Sequence, residues 1–173
     1  GIGPEIILKA FTAHAADMQG VCVVGNLSVM QQQLQQLSAH WPMAIQCHEV
    51  TSSADALQLP GGHVPVINVT PDVSIEIGKV TAAAGRMAAD AVTWAARAVL
   101  RQEFSALVTA PLHKKALSLA GVEFPGHTEM LQSLAAEHLG LPVASVPVRM
   151  MLSSPGLRVV LVSIHVSLRQ AID

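Results

Sequence analysis

The chain has 173 residues, of which 51% are hydrophobic and 13% charged, which excludes a disordered segment and leaves room for a domain with a real core. A net charge of −2 without a basic block argues against nucleic acid as a partner. The most apolar window, 82–100, is broken by Arg86, Asp90 and Arg97, so it reads as a buried helix and not a membrane span.

Gly1-Ile2-Gly3 leads into Pro4, a residue favoured at the first position of a helix, and Glu5 then suits the positive helix end. This start fits a backbone-amide anion or cofactor site, and equally a plain tight turn. A short buried strand is expected over 21–25, then a helix over 29–37 introduced by Asn26, with its glutamines solvated. Residues 44–50 and 64–69 read as two further strands, the latter placed near a sheet edge because of Pro65. Thr81 opens a long helix to about Arg101, with Ala83, Met87, Ala91, Trp94 and Ala98 on its packing face and Arg86–Asp90 as an i,i+4 pair.

Residues 106–108 form an apolar run that ends near Pro111 and passes into His113, Lys114 and Lys115. A second turn, Phe124-Pro125-Gly126, precedes His127-Thr128-Glu129 and a helix through His138 that Gly140 ends. Strands at 148–152 and 157–164 flank Pro155-Gly156 as a hairpin, and a helix begins near Ser167. Short strands alternating with helices predict an α/β fold, three-layer α/β/α, with a mainly parallel sheet. Cys22 and Cys47 read as buried free thiols, His48 as exposed or structural, and His14, His40, His63 and His138 as surface.

In such a sheet, ligands collect where strands give way to helices. His165 stands at the end of an apolar strand, where an imidazole suits a divalent metal or a satisfied structural position. Thr128 can cap its helix, or join His127 and free amides around a phosphorylated group. Lys114 is either a solvated surface lysine or a contact for a carboxylate or phosphate. No complete dinucleotide or phosphate loop is present, and no residue is assigned to a cofactor.

The opening GIGPEI, the P-x-x-K at Pro111–Lys114, the PGHTE at Pro125–Glu129 and the late LRVVLVSIHVSLR together resemble the 4-hydroxythreonine-4-phosphate dehydrogenase family of vitamin B6 biosynthesis. The resemblance runs over the whole chain but covers about the first half of such an enzyme. Both ends accordingly read as interior to a longer chain. It implies an architecture similar to isocitrate and isopropylmalate dehydrogenases, with 1–124 a first α/β domain lacking its N-terminal strand and 125–173 the start of a second.

The resemblance further implies oxidation of a phosphorylated hydroxy-amino acid with NAD or NADP and a divalent metal (Zn, Mg or Co), in a cytoplasmic homodimer with its active site at the subunit interface. His165 becomes a metal ligand, with further ligands beyond residue 173. His127 and Thr128 become substrate binders, and Lys114 an auxiliary anion contact in the catalytic site. Related dehydrogenases acting on phosphorylated threonate or aromatic cis-dihydrodiols remain alternatives, as does a non-catalytic binding domain. The stretch between His127 and His165 departs from the family pattern by its length. Poor solubility is expected for these residues alone, because a partial enzyme leaves apolar surface uncovered.

Overall fold

The computed structural model describes residues 1–40, 44–71, 74–163 and 166–172. Helix α1 (Gly3–Ala13) carries Pro4 in its first turn and buries Leu8 and Phe11. Strand β1 (Val23–Gly25) follows, then α2 (Leu27–Ser38), whose first turn is capped by the Asn26 side chain accepting from the Val29 amide at 2.9 Å. Gln33 is an exception to the solvated glutamines of α2: it faces the core and is buried. Strand β2 (Gln46–Glu49), the short helix α3 (Ser53–Gln58) and β3 (His63–Asn68) complete a three-stranded parallel sheet in the order β1-β3-β2.

Strand β3 is therefore central, not at an edge, even though it contains Pro65. The hydrogen-bond register explains this. Val50 donates to the Val66 carbonyl and Val69 to the Gly25 carbonyl, so even-numbered positions of β3 face β2 and odd-numbered ones face β1. Pro65 faces β1 one residue before that pairing begins at Val23–Val66. Its missing N–H falls where no ladder bond is due.

The core of this unit lies between one face of the sheet and two helices. Val23, Val64 and Val66 meet Leu8, Phe11 and Met30. Helix α4 (Ala82–Leu100), a 19-residue helix capped by Thr81, packs beside β1. A parallel sheet packed with helices gives the α/β class read from the sequence. His63, read as surface, is half-buried, with its ring 4.5 Å from that of His48.

On α4 the most deeply buried residues are Gly85, Ala89, Ala95, Ala96 and Ala98; Ala83, Met87, Ala91 and Trp94 are half-buried, Trp94 against Phe104. Arg86 makes no pair with Asp90 among the described residues; it reaches instead to the Ala120 carbonyl. Ala89 and Ala96 form a second core with Leu117 of α5 (Lys114–Leu119) and Met130 and Leu134 of α6 (His127–Leu139).

The apolar run at 106–108 is not a strand. It pairs with no strand among the described residues, and Val108 is 93% exposed. After a single 3-10 turn (Val143–Ser145), β4 (Met151–Ser154) and β5 (Leu157–Val160) pair antiparallel across Pro155-Gly156, with Gly156 at φ 88°. Proline followed by a left-handed glycine is the type II pattern. Both strands are shorter than the apolar runs that contain them, and both faces of the hairpin are exposed, including Met151, Leu152, Leu157 and Val160. Helix α7 (Leu168–Ile172) ends the described chain. No helix among the described residues is long and apolar enough to cross a membrane.

Candidate functional site

Helix α4 is the platform on which Lys114, His127 and Thr128 are mounted. Its small residues let α5 and α6 approach closely, and Leu117 and Met130 lock those helices into one core. Leu107, Leu112, Val122 and Phe124, from the segments before each helix, pack against the same core. Lys114 is thus held at the start of α5 and His127 at the start of α6, both on one support. No hydrogen bond or ion pair joins Lys114 to His127 or Thr128 among the described residues.

The start of α6 is open. Its N-cap is Gly126, in extended conformation, which offers no side chain to the first turn. The first bond that closes the helix runs from Met130 to the Gly126 carbonyl at 3.4 Å, so the amides of His127, Thr128 and Glu129 lack intrahelical partners. Thr128 is the second helical residue and exposed, so capping does not account for it. Glu129, third in the helix, is the acid that the helix dipole favours there.

His127 is the first residue of this helix. Its Nε2 is buried and has no hydrogen-bond partner among the described residues. A buried ring nitrogen without a partner is costly and uncommon in a structural histidine. Imidazole, Thr128 hydroxyl and free amides at the positive end of a 13-residue helix suit an anionic, oxygen-rich group.

Lys114 is exposed on the first turn of α5, between His113 and Lys115, with no acid in that turn. His113 takes the N-cap position but makes no side-chain cap bond. His165, the predicted metal ligand, lies outside the described residues. Among the described residues, no three His, Cys, Asp or Glu side chains are grouped to hold a metal ion.

The structure also shows a cavity of about 470 Å³ at the carboxyl ends of β2 and β3, lined by Glu49, Val50, Ile67, Asn68, Thr70 and Trp94 among others. Lys114, His127 and Thr128 do not line it. Its polar groups are largely engaged in holding the fold: the Asn68 side chain accepts from the Leu27 amide at 3.2 Å, and Thr70 Oγ1 accepts from Asn26 at 3.2 Å. The strand ends were the only signal for it in the sequence, since its walls come from segments distant along the chain.

Burial pushes both thiols up to about 11. Cys22, just before β1 with its Sγ 3.7 Å from the Pro65 carbonyl, and Cys47 of β2 are half-buried free cysteines outside the candidate site.

Residues 17–173 match the family model described as pyridoxal phosphate biosynthetic protein PdxA. The chain is 36% identical to a 4-hydroxythreonine-4-phosphate dehydrogenase of Beijerinckia indica, over 99% of this chain and 47% of that protein. It is 34% identical to the D-threonate 4-phosphate dehydrogenase of Salmonella typhimurium, over 100% of this chain and 50% of that protein. The crystal structure of a 4-hydroxythreonine-4-phosphate dehydrogenase from Burkholderia phymatum superposes with a TM-score of 0.80 at 27% identity, covering 99% of this chain and 49% of that one. The chain spans about half the length of the curated relatives it matches.

Proposed function

Because the chain belongs to the PdxA family of pyridoxal phosphate biosynthetic proteins, we propose that it forms part of a nicotinamide-dependent dehydrogenase of phosphorylated four-carbon hydroxy acids. The favoured substrate is 4-phosphooxy-L-threonine. Its secondary hydroxyl loses a proton, and hydride passes from the same carbon to NAD or NADP. The β-keto acid so formed releases CO2 and leaves 3-amino-2-oxopropyl phosphate.

The observation that carries this reading is the buried, unpartnered Nε2 of His127 beside the open start of α6. In the tautomer protonated at Nε2, the imidazole donates to a substrate oxygen, while Thr128 and the first-turn amides take the remaining contacts. Lys114 supplies an auxiliary positive charge. His165 is kept as one ligand of a divalent metal (Zn, Mg or Co); when bound, such an ion lowers the pKa of the substrate hydroxyl.

A second substrate is favoured by a specific observation, the comparable identity to a D-threonate 4-phosphate dehydrogenase. The two acids share the phosphate and the secondary hydroxyl and differ in bearing an amine or a hydroxyl beside the carboxylate. A homodimer with its site at the subunit interface, a cytoplasmic location, and the division into 1–124 and 125–173 complete the reading.

The test is steady-state NAD and NADP reduction by the complete gene product with both acids, alongside His127→Ala. Turnover of either acid, with KM raised in the variant by roughly ten- to a hundredfold, upholds the reading, since a hydrogen bond to a charged group contributes about 1.5–3 kcal/mol. Turnover unchanged in His127→Ala removes the site, and no turnover of either acid removes the activity.

A further inference from the structure

Helix α5 has six residues, too few to hold a helix by itself in water, and its N-cap side chain makes no bond to the first turn. Its position therefore comes from what it touches. Leu117 anchors its buried side in the second core. Two consecutive residues of α4 fix the rest. At Gly85 the helices meet backbone to backbone, so closely that a Cβ there would lie 1.9 Å from the Ala116 carbonyl oxygen. At Arg86 the guanidinium Nη2 donates to the Ala120 carbonyl at 2.5 Å.

Ala120 is the C-cap of α5, so the Arg86 charge lies at the negative end of that helix and satisfies one of its last carbonyls. The alternative task for Arg86, an ion pair with Asp90, is not made. Lys114, the first residue of α5, is exposed and has no ion pair of its own among the described residues. Whatever fixes the axis of α5 therefore fixes the origin of the Lys114 side chain.

We propose that Arg86 is a positioning residue for Lys114: with Gly85 setting the approach of the helices, its bond to Ala120 holds α5 so that the Lys114 ammonium meets the anionic group of the substrate. This rests on the reading of Lys114 as a substrate contact given above. Arg86 does not touch the substrate, and its effect passes through the lysine.

The experiment is a double-mutant cycle in the complete gene product, with Arg86→Met, Lys114→Met and the pair, reading kcat, KM for the phosphorylated hydroxy acid, and melting temperature. Arg86→Met is expected to raise KM roughly three- to tenfold with kcat within about twofold, as lost uniform binding does. Lys114→Met raises KM at least as much, and the double variant is no worse than Lys114→Met alone. Arg86→Lys, which keeps a donor and a charge, recovers part of the loss. An Arg86→Met penalty that persists in full on top of Lys114→Met overturns the proposal, as does a lowered melting temperature with KM unchanged. A Lys114→Met variant with wild-type KM sinks the underlying reading of Lys114, an outcome distinct from either.

Discussion

Gly85 of α4 and Ala116 of α5 touch backbone to backbone, with no room between them for a methyl group. Only glycine fits at that position in α4, although glycine is a poor helix former. Gly85→Ala should therefore destabilise the chain, by about 1–3 kcal/mol from overpacking, despite the better helix propensity of alanine. Gly25, where an added Cβ meets nothing within 4 Å, is the control: Gly25→Ala should be close to neutral. Urea denaturation of both variants checks the contrast.

The unpartnered Nε2 of His127 implies opposite effects on stability and on binding. His127→Phe keeps a planar ring and removes the buried polar atom, so the ligand-free protein should melt at the same temperature or higher. The gain is expected to be of order 1 kcal/mol, the lower range for an unsatisfied buried group. Binding of the phosphorylated hydroxy acid should fall in the same variant. Calorimetric melting with and without substrate checks both; a lower melting temperature without ligand would show that the ring nitrogen has a partner.

Asn26 has two tasks at once. Its Oδ1 accepts from the Val29 amide, while its Nδ2 donates to the Thr70 carbonyl and hydroxyl and to the Pro71 carbonyl. Asn26→Ala should cost about 2–3 kcal/mol, from one lost cap and unpaired buried acceptors. Asn26→Asp keeps the cap but turns a buried carboxylate toward two carbonyl oxygens, so it should be at least as destabilising at pH 7. Lowering the pH should relieve that variant by protonating the new acid. Denaturation midpoints at two pH values decide this.

Both thiols have a folded-state value raised to about 11 by burial. Alkylation of native Cys22 and Cys47 should therefore be slow at pH 8 and rise about tenfold per pH unit until about pH 11, because the thiolate is the nucleophile. In linkage terms the unfolded chain releases these protons first, so the folded chain binds more protons between about pH 9 and 11 and stability falls as pH rises through that window. Iodoacetamide labelling rates and pH-dependent denaturation curves test the two statements.

Much of the fold was legible in the residues themselves. Asn26 and Thr81 before apolar periodic runs announced α2 and α4, Gly140 marked the end of α6, and Pro155-Gly156 marked the hairpin. These signals are local, since caps and turns satisfy backbone groups within a few residues. Spacing alone left structural alternatives open for His127, Thr128 and Lys114; the resemblance of the motifs that hold them gave the family and named them as candidate site residues before any geometry was known.

What tertiary structure alone decided is set by partners far along the chain. Pro65 lies in the central strand because register, not composition, determines which neighbour its missing donor would have faced. The run at 106–108 is no strand because a strand needs a neighbour beside it, and Gln33 is buried where a count of glutamines suggested solvent. Arg86 turns to Ala120 and not Asp90, since a helix end packed against it offers a carbonyl that local spacing cannot reveal. The isolation of His127 Nε2 is of the same kind: the sequence supplies the imidazole, and only packing determines that nothing in the described chain meets it.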